Sequence, residues 1–342
     1  MPVDPVLASY GDLAYGTALV LYLLAMALHA VEYATGRVSA AAASPAAEGD
    51  GAVATLAPPG GVLPGTTSLP RSRSQRIGRS AVALTGLAAV VHGGSLVLRG
   101  SAAGRVPWGN MYEFTSAICF VAVAAWLVVL YRQRGSAAGL YGQRGSAAGL
   151  SGQRGSAPGL RRLGVFVLLP VVVLMFLGGT VLYAEAAPLV PALNSYWIAI
   201  HVSAAAGATG ILVVSGVASV LYLVRERAGA ASRTAASLPG SDVLDRLAYR
   251  TTVVAFPIWT FGVITGAIWA EAAWGRYWGW DPKETVALVA WVVYAGYLHA
   301  RATAGWRGSR AAWINVLGLA VMMFNFFFVN IVVAGFHSYA GI

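Results

Sequence analysis

The chain contains 342 residues, of which 58% are hydrophobic and 11% are charged, and its formal net charge is +10. Soluble globular proteins contain about 25% charged residues, so this composition excludes an ordinary soluble enzyme. Several apolar runs reach the roughly 20 residues that a helix needs to cross a bilayer. Because no run shows the alternating pattern of barrel strands, the sequence predicts an all-α polytopic membrane protein.

We predict about eight transmembrane helices from the apolar runs. They cover residues 13–34, 80–98, 111–131, 163–183, 196–224, 251–271, 283–300 and 311–335. No cleavable signal peptide is predicted, because the N-terminus carries Asp4 and Asp12 and lacks a basic region.

The arginines indicate how these helices are oriented. Of the 23 lysines and arginines, 19 fall in four alternate loops, namely 35–79, 132–162, 225–250 and 301–310. Loops rich in positive charge face the cytoplasm. Both termini and the loop before residue 283 are therefore expected on the outer, periplasmic side of a plasma (inner) membrane. The positive charge is explained by these loops and indicates no nucleic acid partner.

Two segments have the composition of linkers. Residues 38–70 are rich in Ala, Gly, Pro and Ser, which predicts a disordered cytoplasmic linker. Residues 133–160 contain three copies of Gln-Arg-Gly-Ser-Ala-(Ala/Pro)-Gly-Leu, each too short for a solenoid unit, which favours a flexible linker expanded by duplication. We thus divide the chain into 1–79, the first span with its linker, and 80–342, a membrane domain interrupted by the repeats.

The most unusual stretch is the tryptophan-rich segment, residues 274–284, which reads Trp-Gly-Arg-Tyr-Trp-Gly-Trp-Asp-Pro-Lys-Glu. An aromatic belt at a membrane interface explains one or two tryptophans but not this pattern. Glycines allow close approach of the backbone, and indole rings offer wide π faces. The segment therefore predicts a binding surface for a large planar ligand such as haem. Its candidate binding residues are Trp274, Tyr277, Trp278, Trp280 and Asp281.

A second outer segment, residues 99–114, places Pro107, Trp108, Asn110 and Glu113 at the start of a predicted helix. Two interpretations remain open for it. It either forms a second outer-face structure near the tryptophan-rich segment, or it is an ordinary helix start with one interfacial aromatic residue.

The five histidines all lie within or at the ends of predicted spans, where ionisable groups are functional candidates. His201 and His337 match the tryptophan-rich segment in depth, so they are candidates for bis-histidine ligation of a haem iron, or else are hydrogen-bonded structural residues. His299 lies about 24 Å along a helix from the start of its span, which implies a separate inner site. For His29 and His92, a hydrogen bond to a neighbouring helix is the simpler interpretation.

Cysteine chemistry is excluded as the main activity. The single cysteine, Cys119, lies in an apolar run, so the chain forms no internal disulfide and offers no suitable nucleophile. The chain also lacks the Cys-x-x-Cys-His pattern that would attach haem covalently to itself.

The tryptophan-rich segment resembles the signature of the haem-handling (WWD) family of cytochrome c biogenesis. Within it, the similarity is to the CcsA/ResC-type proteins of System II, called CcsB in some bacteria. Supporting stretches are 107–113, 191–197, 201–202, 244–250, 297–301 and 335–339. The resemblance extends over about 80–114 and 163–342.

This resemblance implies a haem-handling subunit of a cytochrome c synthase, with haem b as cofactor and no catalytic residue of its own. His201 and His337 correspond to the outer haem ligands, and His299 to a membrane-embedded ligand that holds haem on its way outward. The implied partners are a Ccs1/ResB-type membrane protein, apocytochrome c and a thioredoxin-like thiol reductant. One alternative is a System I haem delivery protein. The other is a b-type electron-transfer subunit, and that function would leave the tryptophan-rich segment unexplained.

Overall fold

The computed structural model describes residues 2–42, 73–142, 157–229 and 232–337, and within these ranges it contains helices and no strands. The helices are α1 Pro5–Ala42, α2 Arg73–Ala103, α3 Met111–Gly142, α4 Ala157–Arg161, α5 Gly164–Thr180, α6 Tyr196–Ala228, α7 Arg233–Ser237, α8 Ser241–Trp274, α9 Pro282–Thr303 and α10 Ser309–Phe324. A π-helical segment, Asn325–Val329, continues α10. The predicted all-α class is confirmed.

Seven helical segments in the described part of the chain are long and apolar enough to cross a membrane: α1, α2, α3, α6, α8, the span Gly159–Thr180 that contains α5, and the span Ser309–Val329 that joins α10 to the π-helical segment. The predicted span 283–300 coincides with α9, which is 22 residues long but includes Lys283, Glu284 and Arg301. These charges lower its hydropathy, so length and composition support seven spans where the sequence predicted about eight. The sides that the termini face stay a prediction from the arginine pattern.

Two linker boundaries were predicted too early. α1 continues to Ala42, and α3 continues to Gly142, so the predicted linker and the first repeat both begin as helix. The rest of these predictions, residues 43–70 and 143–156, lies outside the described residues.

The helices pack in two groups joined through α6. One group contains α1, α2, α3 and α5, and the other contains α8, α9 and α10. Small residues on α6 permit this close packing, as is usual between membrane helices. A Cβ at Gly210 would lie 2.7 Å from the carbonyl oxygen of Ile118 on α3, and one at Gly216 would lie 2.3 Å from the side chain of Leu319 on α10.

A buried ion network holds the loop between α2 and α3. Glu113, only 1% exposed, accepts hydrogen bonds from Arg99 Nε at 3.1 Å and from Arg105 Nη1 at 2.7 Å. Arg99 also reaches Asp12 of α1 at 3.1 Å. The same Glu113 carboxylate accepts the backbone N–H of Gly109 at 2.7 Å, so the network fixes the position of residues 104–110.

Candidate functional site

A groove lies at the predicted outer ends of α6, α8 and α9, next to the π-helical segment, and encloses about 1270 Å³ including the space at its open mouth. Most of its lining is apolar or aromatic. These residues include Trp108, Leu193, Ile198, Trp259, Trp269, Trp278, Met322 and Phe326. Ligand sites in proteins are typically lined by apolar and aromatic side chains, with a few placed polar groups. The lining of the groove is therefore suited to a mainly apolar ligand.

His201 lines this groove from the N-terminal part of α6. Its Nδ1 lies 2.7 Å from the carbonyl oxygen of Gly262 on α8. Because a carbonyl oxygen only accepts, Nδ1 carries the proton and Nε2 keeps its lone pair. A Cβ at position 266 would lie 2.6 Å from this imidazole, so the ring requires Gly266 beside it.

His337 lines the same groove, in the turn that ends the described chain. Its Nδ1 lies 2.9 Å from Asp281 Oδ2, and the N–H of Phe336 donates to Asp281 Oδ1 at 2.7 Å. Burial acts to raise the pKa of Asp281, but these hydrogen bonds outweigh it and lower that pKa, so the carboxylate is ionised. Burial lowers the pKa of His337 despite Asp281, so its imidazole is neutral at neutral pH.

The two imidazoles thus share one arrangement. In each, Nδ1 donates to an oxygen, and no hydrogen bond among the described residues engages Nε2. A carboxylate or carbonyl behind Nδ1 is what fixes the tautomer and ring orientation of metal-binding histidines in proteins. His201 and His337 therefore meet the requirements for binding a metal through Nε2.

Trp269, which was not selected from the sequence, packs against both histidines and is 1% exposed. Its ring stacks on His201, with centroids 6.1 Å apart and planes 7° from parallel. It also contacts His337, with centroids 5.6 Å apart and planes at 63°. The centroids of the two imidazole rings are therefore separated by no more than the sum of these two distances, and both rings contact the same buried indole.

The predicted aromatic residues of the tryptophan-rich segment have different positions. Tyr277 and Trp278 line the groove. Trp274 packs against both His337 and Trp269, with ring centroids 4.9 and 4.7 Å apart, and so supports His337. Trp280 is 68% exposed, does not line the groove, and has a left-handed φ of 58°.

Asp281 also caps α9, since its side chain accepts the N–H of Lys283 at 3.1 Å. Glu284 accepts the N–H groups of Gly279 and Asp281 at 2.9 and 3.1 Å, which completes a capping box. The predicted ligand-edge residue Asp281 is thus a link between the helix start and His337 and is not among the residues that line the groove. The capping box makes the segment a fixed wall of the groove.

The loop before α3 forms another wall. Trp108, Gly109, Asn110 and Met111 all line the groove. Trp108 Nε1 donates to Ser203 Oγ on α6 at 2.9 Å. Of the two interpretations of residues 99–114, the structure therefore supports a second element beside the tryptophan-rich segment, and the side of the membrane that both face stays a prediction.

The other three histidines lie away from the groove. His92 is buried, with Nε2 at 2.9 Å from Ser116 Oγ, and has the hydrogen-bonding role predicted for it. His29 is buried against Trp126, with ring centroids 5.3 Å apart. His299 is exposed near the C-terminal end of α9. Because α1 packs mainly on α2 and α5 whereas α9 packs on α8 and α10, His29 and His299 belong to different parts of the protein.

The family model for the cytochrome C assembly protein matches residues 108–337, a range that starts and ends at groove-lining residues. Cytochrome c biogenesis protein CcsA of Guillardia theta is 42% identical over 173 residues, which cover 45% of this chain and 58% of that protein, so the chain matches just over half the relative's length. CcsA of Synechococcus sp. (strain WH7803) is 34% identical over 289 residues, or 75% of this chain and 83% of the relative.

Among solved structures, cytochrome c heme lyase CcmF has a similar fold, with a TM-score of 0.55 and 17% identity. The alignment covers 96% of this chain and 47% of CcmF, and at this identity it supports the fold alone. The family match and the long alignment to the Synechococcus relative identify the sequence more closely. The chain belongs to the cytochrome c assembly family and, within it, to the CcsA-type cytochrome c biogenesis proteins.

Proposed function

We propose that this chain is the haem-handling subunit of a cytochrome c synthase, which holds haem b in the groove and presents it for attachment to apocytochrome c. The observation that carries the proposal is the pair His201 and His337. Both are oriented through Nδ1, both leave Nε2 for iron, and both lie in one aromatic groove. A neutral imidazole is a common axial ligand of haem iron.

The residues of the groove have distinct roles in this proposal. His201 and His337 would hold the iron, while the carbonyl of Gly262 and the carboxylate of Asp281 fix their tautomers. Trp278 and Trp108 supply apolar walls that exclude water from the macrocycle. Bound haem supplies the two vinyl groups to which the cysteine thiols of apocytochrome c add. The chain contributes position, because holding reactive groups in place replaces an encounter in solution.

The proposal places the groove on the outer side of a plasma (inner) membrane, because most arginines lie in the opposite loops. Its partners are a Ccs1/ResB-type membrane protein, apocytochrome c and a thioredoxin-like reductant that keeps the apocytochrome thiols reduced. The exposed position of His299 on α9 favours an inner haem site that is completed by the membrane partner.

Reconstitution tests this function directly. The chain and its ResB-type partner are purified together, given haem and a reduced peptide containing Cys-x-x-Cys-His, and analysed for haem that survives denaturation. We expect covalent haem only when both the chain and reduced thiols are present. Stable haem retention with electron exchange and no covalent product would instead indicate an electron-transfer subunit, and release of non-covalent haem to a chaperone would indicate a delivery protein.

Replacing Asp281 with asparagine tests the support behind His337. An asparagine whose oxygen takes the place of Oδ2 still caps α9 and accepts from Nδ1 of His337, but its NH2 group replaces the acceptor for the N–H of Phe336, and the negative charge behind His337 is lost. We expect haem affinity to fall by about 10- to 100-fold, as for other partners of metal-binding histidines. Haem titration and far-UV circular dichroism measure the two effects. Unchanged affinity with an intact helix content would show that Asp281 acts only as a cap.

Replacing His299 with alanine tests the inner site. Because His299 is exposed and far from the groove in sequence and position, the chain alone should bind outer haem as well as wild type does. With the ResB-type partner present, we expect total haem to fall in the variant. Haem per complex is measured with and without the partner. Full haem occupancy in the variant complex would make His299 a structural residue.

A further inference from the structure

Lys283 is the only lysine among the 342 residues, and its side chain lines the groove. It lies in the first turn of α9, directly after the tryptophan-rich loop. Its Nζ donates one hydrogen bond, to Oδ1 of Asn330. An ammonium group has three N–H donors, so two remain for another partner.

The carboxylates nearest to Lys283 in sequence are engaged elsewhere. Asp281 accepts from His337 and from the backbone of Phe336, and Glu284 accepts from the loop backbone. No ion pair among the described residues includes Lys283. A cation in an apolar groove without an anionic partner is unfavourable, because burial removes its hydration.

The π-helical segment supplies the other polar residues next to Lys283 in the groove. Asn325 and Asn330 both line the groove although they are five residues apart, a spacing that would separate them by about 140° on an α-helix. The π-turn therefore brings both amides toward Lys283, and such turns are frequent at functional sites. Oδ1 of Asn325 is buried and has no hydrogen-bond partner in the described part of the chain. Because this oxygen is an acceptor, it offers nothing to a carboxylate, and the donors that remain here are the two N–H groups of Lys283.

We infer that Lys283, held in place by Asn330, binds a carboxylate of the ligand, which for haem is a propionate. The inference rests on the proposed function and adds an orientation to it. Both propionates of haem lie on one edge of the macrocycle and both vinyl groups lie away from that edge. Two histidine ligands alone would allow the macrocycle to rotate about the line that joins them. An ion pair at Lys283 would therefore select one of these rotations, and it would direct the vinyl groups away from α9.

The test combines a substitution of Lys283 in the protein with removal of the negative charges from the ligand. Wild type and Lys283→Met, each as the full chain in detergent, are titrated with haem and with haem dimethyl ester, whose propionates are uncharged. We expect Lys283→Met to bind haem about 10- to 100-fold more weakly, as for loss of a charged hydrogen bond. The ester should bind both proteins equally, and Lys283→Arg should keep the preference of wild type for haem.

Arg276→Met is the matched control, because it removes a positive charge from the same loop at a residue that does not line the groove. Its ratio of haem affinity to ester affinity should equal that of wild type. Asn330→Ala should lower the ratio although it retains the lysine, because Lys283 then loses the group that holds it in place.

Two contrary results have different meanings. If Lys283→Met weakens haem and ester equally, or weakens neither, the carboxylate site is wrong while haem binding stands. If wild type binds neither ligand saturably, the proposed function fails, and the carboxylate site fails with it.

Discussion

Replacing His201 or His337 with alanine is expected to remove most of the haem that the groove is proposed to bind. Loss of a partner behind a metal-binding histidine costs about 10- to 100-fold in affinity, so loss of the histidine itself should cost at least as much. Added imidazole should restore part of the binding, because it can occupy the vacated axial position. Bound haem is measured from the Soret band of the purified variants, with and without imidazole.

The structure also predicts which variant imidazole rescues more easily. The side chain of His337 is 17% exposed at the edge of the groove, so a free imidazole can reach its place from solvent. His201 is covered by Trp269 and by Gly266 of α8, which restrict access. His299→Ala without the partner is the control, since it is the same substitution outside the groove. Wild-type spectra and cytochrome maturation in both single variants would exclude the axial assignment.

The outer pair of histidines could be predicted from sequence because membrane depth follows from position along a helix. His201 lies about one and a half turns into α6, and His337 follows the last apolar run, so both had to lie near the tryptophan-rich segment. Trp108 was selected for a similar reason, but its place in the wall of the groove was left open. Depth in the membrane was sufficient to predict that these residues lie close to the tryptophan-rich segment.

Rotation about the helix axes could not be predicted in the same way. Trp269 contacts both histidines only because α8 turns that face toward α6, and its sequence context is an ordinary apolar run. Likewise, Asn325 and Asn330 share one face only because the helix widens to a π-turn. Asp281 was predicted to contact the ligand, and this stays a prediction; its contact with His337 could not be predicted, since it arises because the chain that follows α10 returns to the start of α9. Such contacts depend on tertiary packing.

Replacing Glu113 with alanine is expected to destabilise the protein more than any surface charge change. Glu113 is 1% exposed and lies between the guanidinium groups of Arg99 and Arg105. Removing one partner of a buried ion pair leaves uncompensated charge, which costs about 3–5 kcal/mol in free energy of unfolding. Thermal unfolding of the purified variant in detergent measures this loss.

The control is Asp242→Ala, which breaks the exposed ion pair with Arg246 on α8. Its side chains are 67% and 58% exposed, so we expect a change below about 1 kcal/mol. Equal melting temperatures for the Glu113 and Asp242 variants would show that the buried network contributes no more than a surface pair.

Glu113→Gln extends the same prediction to the groove. Glutamine keeps an oxygen for the N–H of Gly109 but removes the charge that balances Arg99 and Arg105. Since that N–H holds the loop that carries Trp108, glutamine should preserve more haem binding than alanine does while still lowering stability. The melting temperature should therefore fall in both variants, whereas haem affinity should fall mainly in Glu113→Ala. The reason is that the hydrogen bond positions the wall of the groove, whereas the charge stabilises the helices behind it. If both measurements fell together in both variants, the network would act on the fold alone.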